Sequence, residues 1–329
     1  MLKHQLRKLK WSLEYLKSQL LRNRVPPHKG LQRHGLQGYQ VYPKGGNLSP
    51  DFFTQPVEQY RKIIDQTTSI ASVGSCFAVE IRAHLRDAKF NFISTRESSA
   101  GSAEWGRVDT TKNLLQIFQY SFTEFLPEVR FCHTANGWFD PFREGPFYPS
   151  EEEVEKGVLQ HYEESRQVFT SCKVLIMTPG QNEAWVNKND GLAWRHKPPP
   201  EAFVRYGEDR FYVKRFSLEE NIENLDCTLR LLWANNPDAT VIFTVSPIPS
   251  DATFFDTNVA VRSFENKAIL LLAVKDVVNR NPGRTHYFPS FEMAMLSHNL
   301  NLQLDNRHVR PPIVEEIMAC FDRRFVADS

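Results

Sequence analysis

From Ile70 onward the chain alternates two hydrophobic rhythms. Short runs that are apolar almost throughout read as strands covered on both faces: Ile70 to Val73, "KVLIMTPG" (173–180) and "ATVIFTVSPIP" (239–249). Longer segments between them carry apolar residues at spacings of three and four and read as helices: "CFAVEIRAHLRDA" (76–88), "VDTTKNLLQIFQYSF" (108–122), 151–171, 217–237, 264–280 and 311–325. Ser217 and Glu220 form a capping box where one helix starts, and Pro237 lies beyond its end. "THYFPSFE" (285–292) reads as a short strand or a loop. Strands alternating with helices predict an α/β domain with a mostly parallel sheet and helices on both faces.

Residues 1–24 have a different pattern. Leu2, Leu6, Leu9, Leu13, Leu16 and Leu20 stripe one face of a basic helix, and residues 25–50, rich in Pro and Gly, read as a linker. The expected organisation is a 1–50 helix and linker, then a 51–329 α/β domain with an insertion or lid at 184–216. The helix is expected to be an appendage. It suits docking on its own domain, self-association through a second copy, or a peripheral place on an anionic membrane.

Composition narrows the function classes. The net charge of +1 over 329 residues gives no field for nucleic acid, and no run approaches the length that spans a bilayer. No secretory signal pattern opens the chain, so a cytoplasmic place is the expectation, membrane-peripheral if the helix binds lipid. The five cysteines contain no C-x-x-C pair, and His133, His161 and His286 have no metal-ligand spacing. No cofactor and no metal are expected.

Chemistry concentrates at expected strand ends, where open α/β sheets place their sites. Gly74-Ser75-Cys76 follows the first strand, Gly180 and Asn182 follow the second, and Asp305 and His308 stand just before the last helix. A thiol or hydroxyl needs a base, and the base needs an orienting carboxylate. Cys76 or Ser75 supplies the nucleophile, His308 the base and Asp305 the orienting group. His308 is expected within reach of Cys76 or Ser75, lowering the thiol pKa if Cys76 is the nucleophile. A developing oxyanion needs fixed donors, for which the nucleophile's own N–H, a glycine N–H and the Asn182 amide are suited. Trp185, Trp194, Tyr206, Phe211 and Tyr212 could stack on a sugar or pack an insertion. "RHKPPP" (195–200) could bind an anion, and Glu292 could support Asp305.

The stretch "SVGSCFA" (72–78) resembles the signature of the GSCFA family, grouped with the SGNH/GDSL hydrolase superfamily. "WGRV" (105–108), "TPGQNEAW" (178–185), "TVSPIP" (244–249), "YFPSFEM" (287–293) and "DNRHV" (305–309) extend the resemblance from about Ser69 to Phe325. It implies a flavodoxin-like three-layer α/β/α domain that hydrolyses or transfers acyl groups, often acetyl on carbohydrate. It also implies an oxyanion hole from Gly180 and Asn182, with Gly106 as a further match, and an Asp305–His308 block. The superfamily's usual Gly-Asp-Ser is replaced here. Aligned glycines put Cys76 in the nucleophile slot, and a slip of one puts Ser75 there. The expectation is an acyl ester hydrolase or acyltransferase on a small polar or glycan substrate. A non-catalytic carbohydrate-binding or scaffold protein on the same fold is the alternative.

Overall fold

The computed structural model describes residues 37–43, 48–95, 101–103, 105–297 and 302–327. The expected helix over 1–24 and the first part of the linker lie outside the described residues. In chain order the strands are β1 (Ile70–Gly74), β2 (Cys132–Thr134), β3 (Gly137–Phe139), β4 (Val174–Thr178), β5 (Glu183–Asn187), β6 (Phe211–Arg215), β7 (Thr240–Phe243) and β8 (Thr285–Tyr287). The helices are α1 (Pro50–Phe53), α2 (Phe77–Asp87), α3 (Thr111–Phe122), α4 (Glu151–Ser171), α5 (Pro200–Tyr206), α6 (Leu218–Asn235), α7 (Val259–Arg280), α8 (Ser290–Leu296) and α9 (Pro311–Phe325).

Strands β1, β4, β7 and β8 form one parallel sheet in the order β1-β4-β7-β8. Successive strand residues point to opposite faces, which splits the core in two. Ala71, Val73, Leu175, Met177, Val241 and Phe243 pack beneath α3, α4, α6 and α7, through residues such as Phe118, Phe169, Leu229 and Leu270. Ile70, Val174, Ile176 and Ile242 face the other way, onto Ile81 of α2, Met293 of α8 and Phe321 of α9. Each fully buried Val, Leu, Ile, Met or Phe side chain among them contributes about 1.5–3 kcal/mol. The result is the expected three-layer α/β/α domain. Two antiparallel pairs, β2–β3 and β5–β6, stand outside the main sheet.

The Ser217–Glu220 capping box forms as expected, the Ser217 Oγ accepting from the Glu220 N–H and the Glu220 carboxylate from the Ser217 N–H. The third apolar run is strand only as far as Phe243. Thr244 and Ser246 still donate to the Met177 and Pro179 carbonyls at 3.1 and 2.9 Å, but Pro247 and Pro249 have no N–H to continue the ladder. "THYFPSFE" divides at Pro289 into β8 and the start of α8. No helix among the described residues is long and apolar enough to cross a membrane.

Candidate active site

The parallel strands end together, and their following turns are stitched into one surface. The Ser75 N–H donates to the Thr178 carbonyl at 2.9 Å, and the Val108 N–H to the Gly74 carbonyl at 2.7 Å. The Gly180 and Gln181 N–H groups both donate to the Asp109 carbonyl. Gly74 must be glycine. Its φ is +145°, and a Cβ would lie 2.3 Å from Thr178 Oγ1 and 2.6 and 2.7 Å from the Thr178 backbone O and N.

Beyond Gly74 the two candidate nucleophiles take different places. Ser75 is buried, its Oγ 3.2 Å from Thr178 Oγ1 and accepting from the Phe77 N–H at 3.4 Å. Cys76 is half-buried at the N-cap of α2. Apart from its own sulfur, the Cys76 N–H has no acceptor among the described residues. Burial, then the Asp109 charge, pushes the Cys76 thiol up, while Arg107 and Lys267 pull it back.

Both residues line a cavity of about 450 Å³. Gly180, Gln181 and Ser246 from the strand ends complete its floor, with Arg107 and Asp109 on one side. The 184–216 segment, which carries β5, α5 and β6, supplies a wall of Trp185, Trp194, Arg195, His196 and Lys197. Phe254 sits edge-on to Trp185, with ring centroids 5.3 Å apart, and Lys197 Nζ lies 5.6 Å from the same indole. The wall's charges are largely balanced. Arg195, almost wholly buried, donates to Asp109 and Glu144 at 3.2 Å each, and Arg307 pairs with Asp251. Burial first, then Arg195, holds the His196 imidazole below its usual pKa. The Nε1 atoms of Trp185 and Trp194 and the Arg195 Nε are buried without partners among the described residues.

Asp305 and His308 are paired, the Asp305 carboxylate taking both the His308 Nδ1 contact and the His308 N–H. The imidazole, then the Arg307 and His308 N–H groups, hold the Asp305 carboxyl far below the usual carboxylate range. Arg307 lines the cavity, but His308 does not, and no hydrogen bond joins it to Cys76 or Ser75 among the described residues. The expected lowering of the thiol by His308 is therefore absent, and burial dominates.

Two of the expected oxyanion donors, Asn182 and Gly180, are engaged elsewhere. The Asn182 amide is fully buried, its Nδ2 donating to the Phe216 carbonyl and its Oδ1 accepting from Asn221, both at 2.8 Å. The Gly180 N–H is held by Asp109, as above. Gly106 has φ +71° and lies under Glu144, whose Cβ would be 2.2 Å from a Cβ placed there. Glu292 accepts from the Tyr287 hydroxyl at 2.8 Å and has no bond to Asp305.

One residue went unseen in the sequence. Lys267 is buried beneath the cavity and donates to the Gly180 carbonyl at 2.5 Å. The signal lies in the buried stripe of α7, which runs Ser263, Asn266, Lys267, Leu270, Ala273, Val274, Val277. It is polar at the strand-end side and apolar beyond, and Asn266 and Arg262 reach Glu183 there.

The wall also stores a titrating group. The Pro141 carbonyl accepts from the Arg195 N–H at 2.9 Å, and beside it Asp140 is buried, its Oδ1 bound to the Phe142 N–H at 2.8 Å. Burial pushes the Asp140 carboxyl up to about 6, against the Phe142 N–H and Arg143. A raised acid makes the native state hold a proton that the unfolded chain has lost. Stability therefore falls as pH rises from the unfolded value through about 6, and the penalty persists above. Asp140→Asn is expected to melt with the unaltered protein near pH 4 and above it near pH 8, by at most about 3 kcal/mol. Thermal melts across that range check this. A variant weaker at pH 8 would mean that the ionised carboxylate is compensated.

A family model described as the GSCFA family matches residues 69–321. No curated protein matches the chain. Similar solved structures include an acetyl esterase mutant with acetate ion, 10% identical, covering 77% of this chain and 93% of that one, with a TM-score of 0.38. A carbohydrate esterase family 3 structure from Talaromyces cellulolyticus is 10% identical, covers 78% and 95%, and scores 0.38. An acetyl xylan esterase from Butyrivibrio proteoclasticus is 11% identical, covers 80% and 64%, and scores 0.36.

Proposed function

The chain belongs to the GSCFA family, and from that premise we propose that it is an acyl ester hydrolase or acyltransferase with Cys76 as its nucleophile. One observation carries the reading: of the two cavity-lining residues, Cys76 is half-buried at a helix N-terminus, while the buried Ser75 has its hydroxyl engaged with Thr178 and the Phe77 N–H. The thiolate attacks the acyl carbonyl carbon, the ester C–O bond breaks, and the alcohol leaves with a proton. Water or a second alcohol then attacks the thioester, releasing the acyl group and returning the thiol. His308 is the proposed base. Asp305 occupies its Nδ1, which leaves Nε2 to take the proton. The Cys76 N–H is the proposed oxyanion donor.

The substrate reading is a neutral, hydroxyl-rich molecule such as an acylated sugar. The cavity's charges are largely balanced, so its recognition would rest on the Trp185 ring in its wall. A non-catalytic carbohydrate-binding protein is the second reading, and the engagement of Asn182 and Gly180 elsewhere favours it. Exposure to activated acetyl esters, followed by intact-mass and peptide mapping, separates the two. An acetyl group trapped on Cys76 is expected. A chain that binds acylated sugars and never acquires the adduct is a binding protein.

A further inference from the structure

Lys267 has three donors and one recorded acceptor among the described residues, the Gly180 carbonyl. No carboxylate lies within ion-pair distance of it among those residues. A buried ammonium without an anion is costly, so its place needs a reason. Gly180 is the residue pressed against Ser75: a Cβ on it would be 3.0 Å from Ser75 Cβ. The amine is thus held one residue layer behind the turn that presents Cys76.

We propose that Lys267 is the counter-charge for the Cys76 thiolate, a positioning residue that sets how readily the nucleophile ionises. This rests on Cys76 being the reactive group. When Cys76 gives up its proton, the new charge on Sγ meets a cation that water cannot screen. Burial pulls Lys267 down to about 7, while Asp109 and then the Cys76 thiolate hold its proton on and Arg307 opposes them. The thiol answers to Asp109 and Arg107 on the 105–110 segment as well as to Lys267 on α7. Thiolate and ammonium therefore form together, as a coupled pair.

The test is the pH dependence of iodoacetamide alkylation at Cys76 in the full chain, followed by peptide mapping so that the other four thiols are separated. Lys267→Met is expected to move the inflection up by about one unit or more and to slow alkylation at neutral pH about tenfold. Lys267→Arg, which keeps a cation, should restore most of the rate. Superimposable profiles for Lys267→Met and the unaltered protein overturn the proposal. So does an equal slowing in both variants without a shift, which is the signature of packing alone. Should Lys267→Met fail to fold, the reciprocal measurement stands. In Cys76→Ala the titration midpoint of the Lys267 side chain, followed by NMR, should fall, and an unmoved midpoint overturns the coupling. Acylation is read separately. A shifted inflection without any acyl adduct defeats the proposed function alone, whereas a normal adduct with an unshifted inflection defeats this inference alone.

Discussion

Cys76→Ala loses acyl-adduct formation and turnover by about a thousandfold or more, the scale for a removed covalent nucleophile. The expectation follows from the divergence of the two side chains after Gly74. Both line the cavity, but Ser75 is buried and Cys76 only half-buried, and the Cys76 N–H is the proposed oxyanion donor. Ser75→Ala should keep appreciable turnover and lose about 1 kcal/mol of stability, because the Ser75 Oγ is engaged with Thr178 and the Phe77 N–H. Cys76→Ser is the finer probe. It keeps the shape but needs its base more heavily, so weak activity should survive. Initial rates on an activated acetyl ester, with urea melts alongside, measure all three. A silent Cys76→Ala beside a dead Ser75→Ala would falsify the assignment and make Ser75 the nucleophile.

Gly74→Ala is expected to cost about 3 kcal/mol or more, enough to leave much of the chain unfolded in mild urea. The left-handed φ alone strains an alanine, and the added Cβ strikes Thr178 from three directions. Two of those contacts are backbone, so β1 and β4 would have to separate where they are registered Gly74 to Thr178. Thr178→Ala removes the hydroxyl clash and leaves the other two. The double variant should accordingly remain well below the unaltered protein in its urea midpoint. Recovery to the unaltered midpoint would show that only the hydroxyl mattered.

The layers of the fold were legible because each strand run was apolar on both faces. Val174 to Met177 faces two different cores, and no alternating pattern would have served. Helices α4 and α9 match the sequence expectation end to end, since their apolar spacing meets Ser150 and the Pro311–Pro312 pair at the start. The site was legible by order along the chain and less so in detail. Asn182 was expected to serve as an oxyanion donor because an amide donates without changing charge and because the family resemblance implies a Gly180–Asn182 block. Which way an amide turns depends on partners far along the chain, here Phe216 and Asn221. Lys267 was hidden for the opposite reason. A lysine on a helix reads as solvent-facing, and only the continuation of its stripe into Leu270, Val274 and Val277 shows that this face is interior.

The order β1-β4-β7-β8 also governs when such a site can come into being. The hydrogen bond between Ser75 and Thr178 closes a loop of 103 positions, and the Lys267–Gly180 bond closes one of 87. Each closure costs about 4 kcal/mol of chain entropy before any contact returns it. Parallel neighbours of this kind pair slowly. During synthesis, then, the segment bearing Cys76 leaves the ribosome with neither its sheet partner nor its buried amine yet made. The thiol spends that interval solvent-exposed and ordinary, and it gains its surroundings only after α7 has docked.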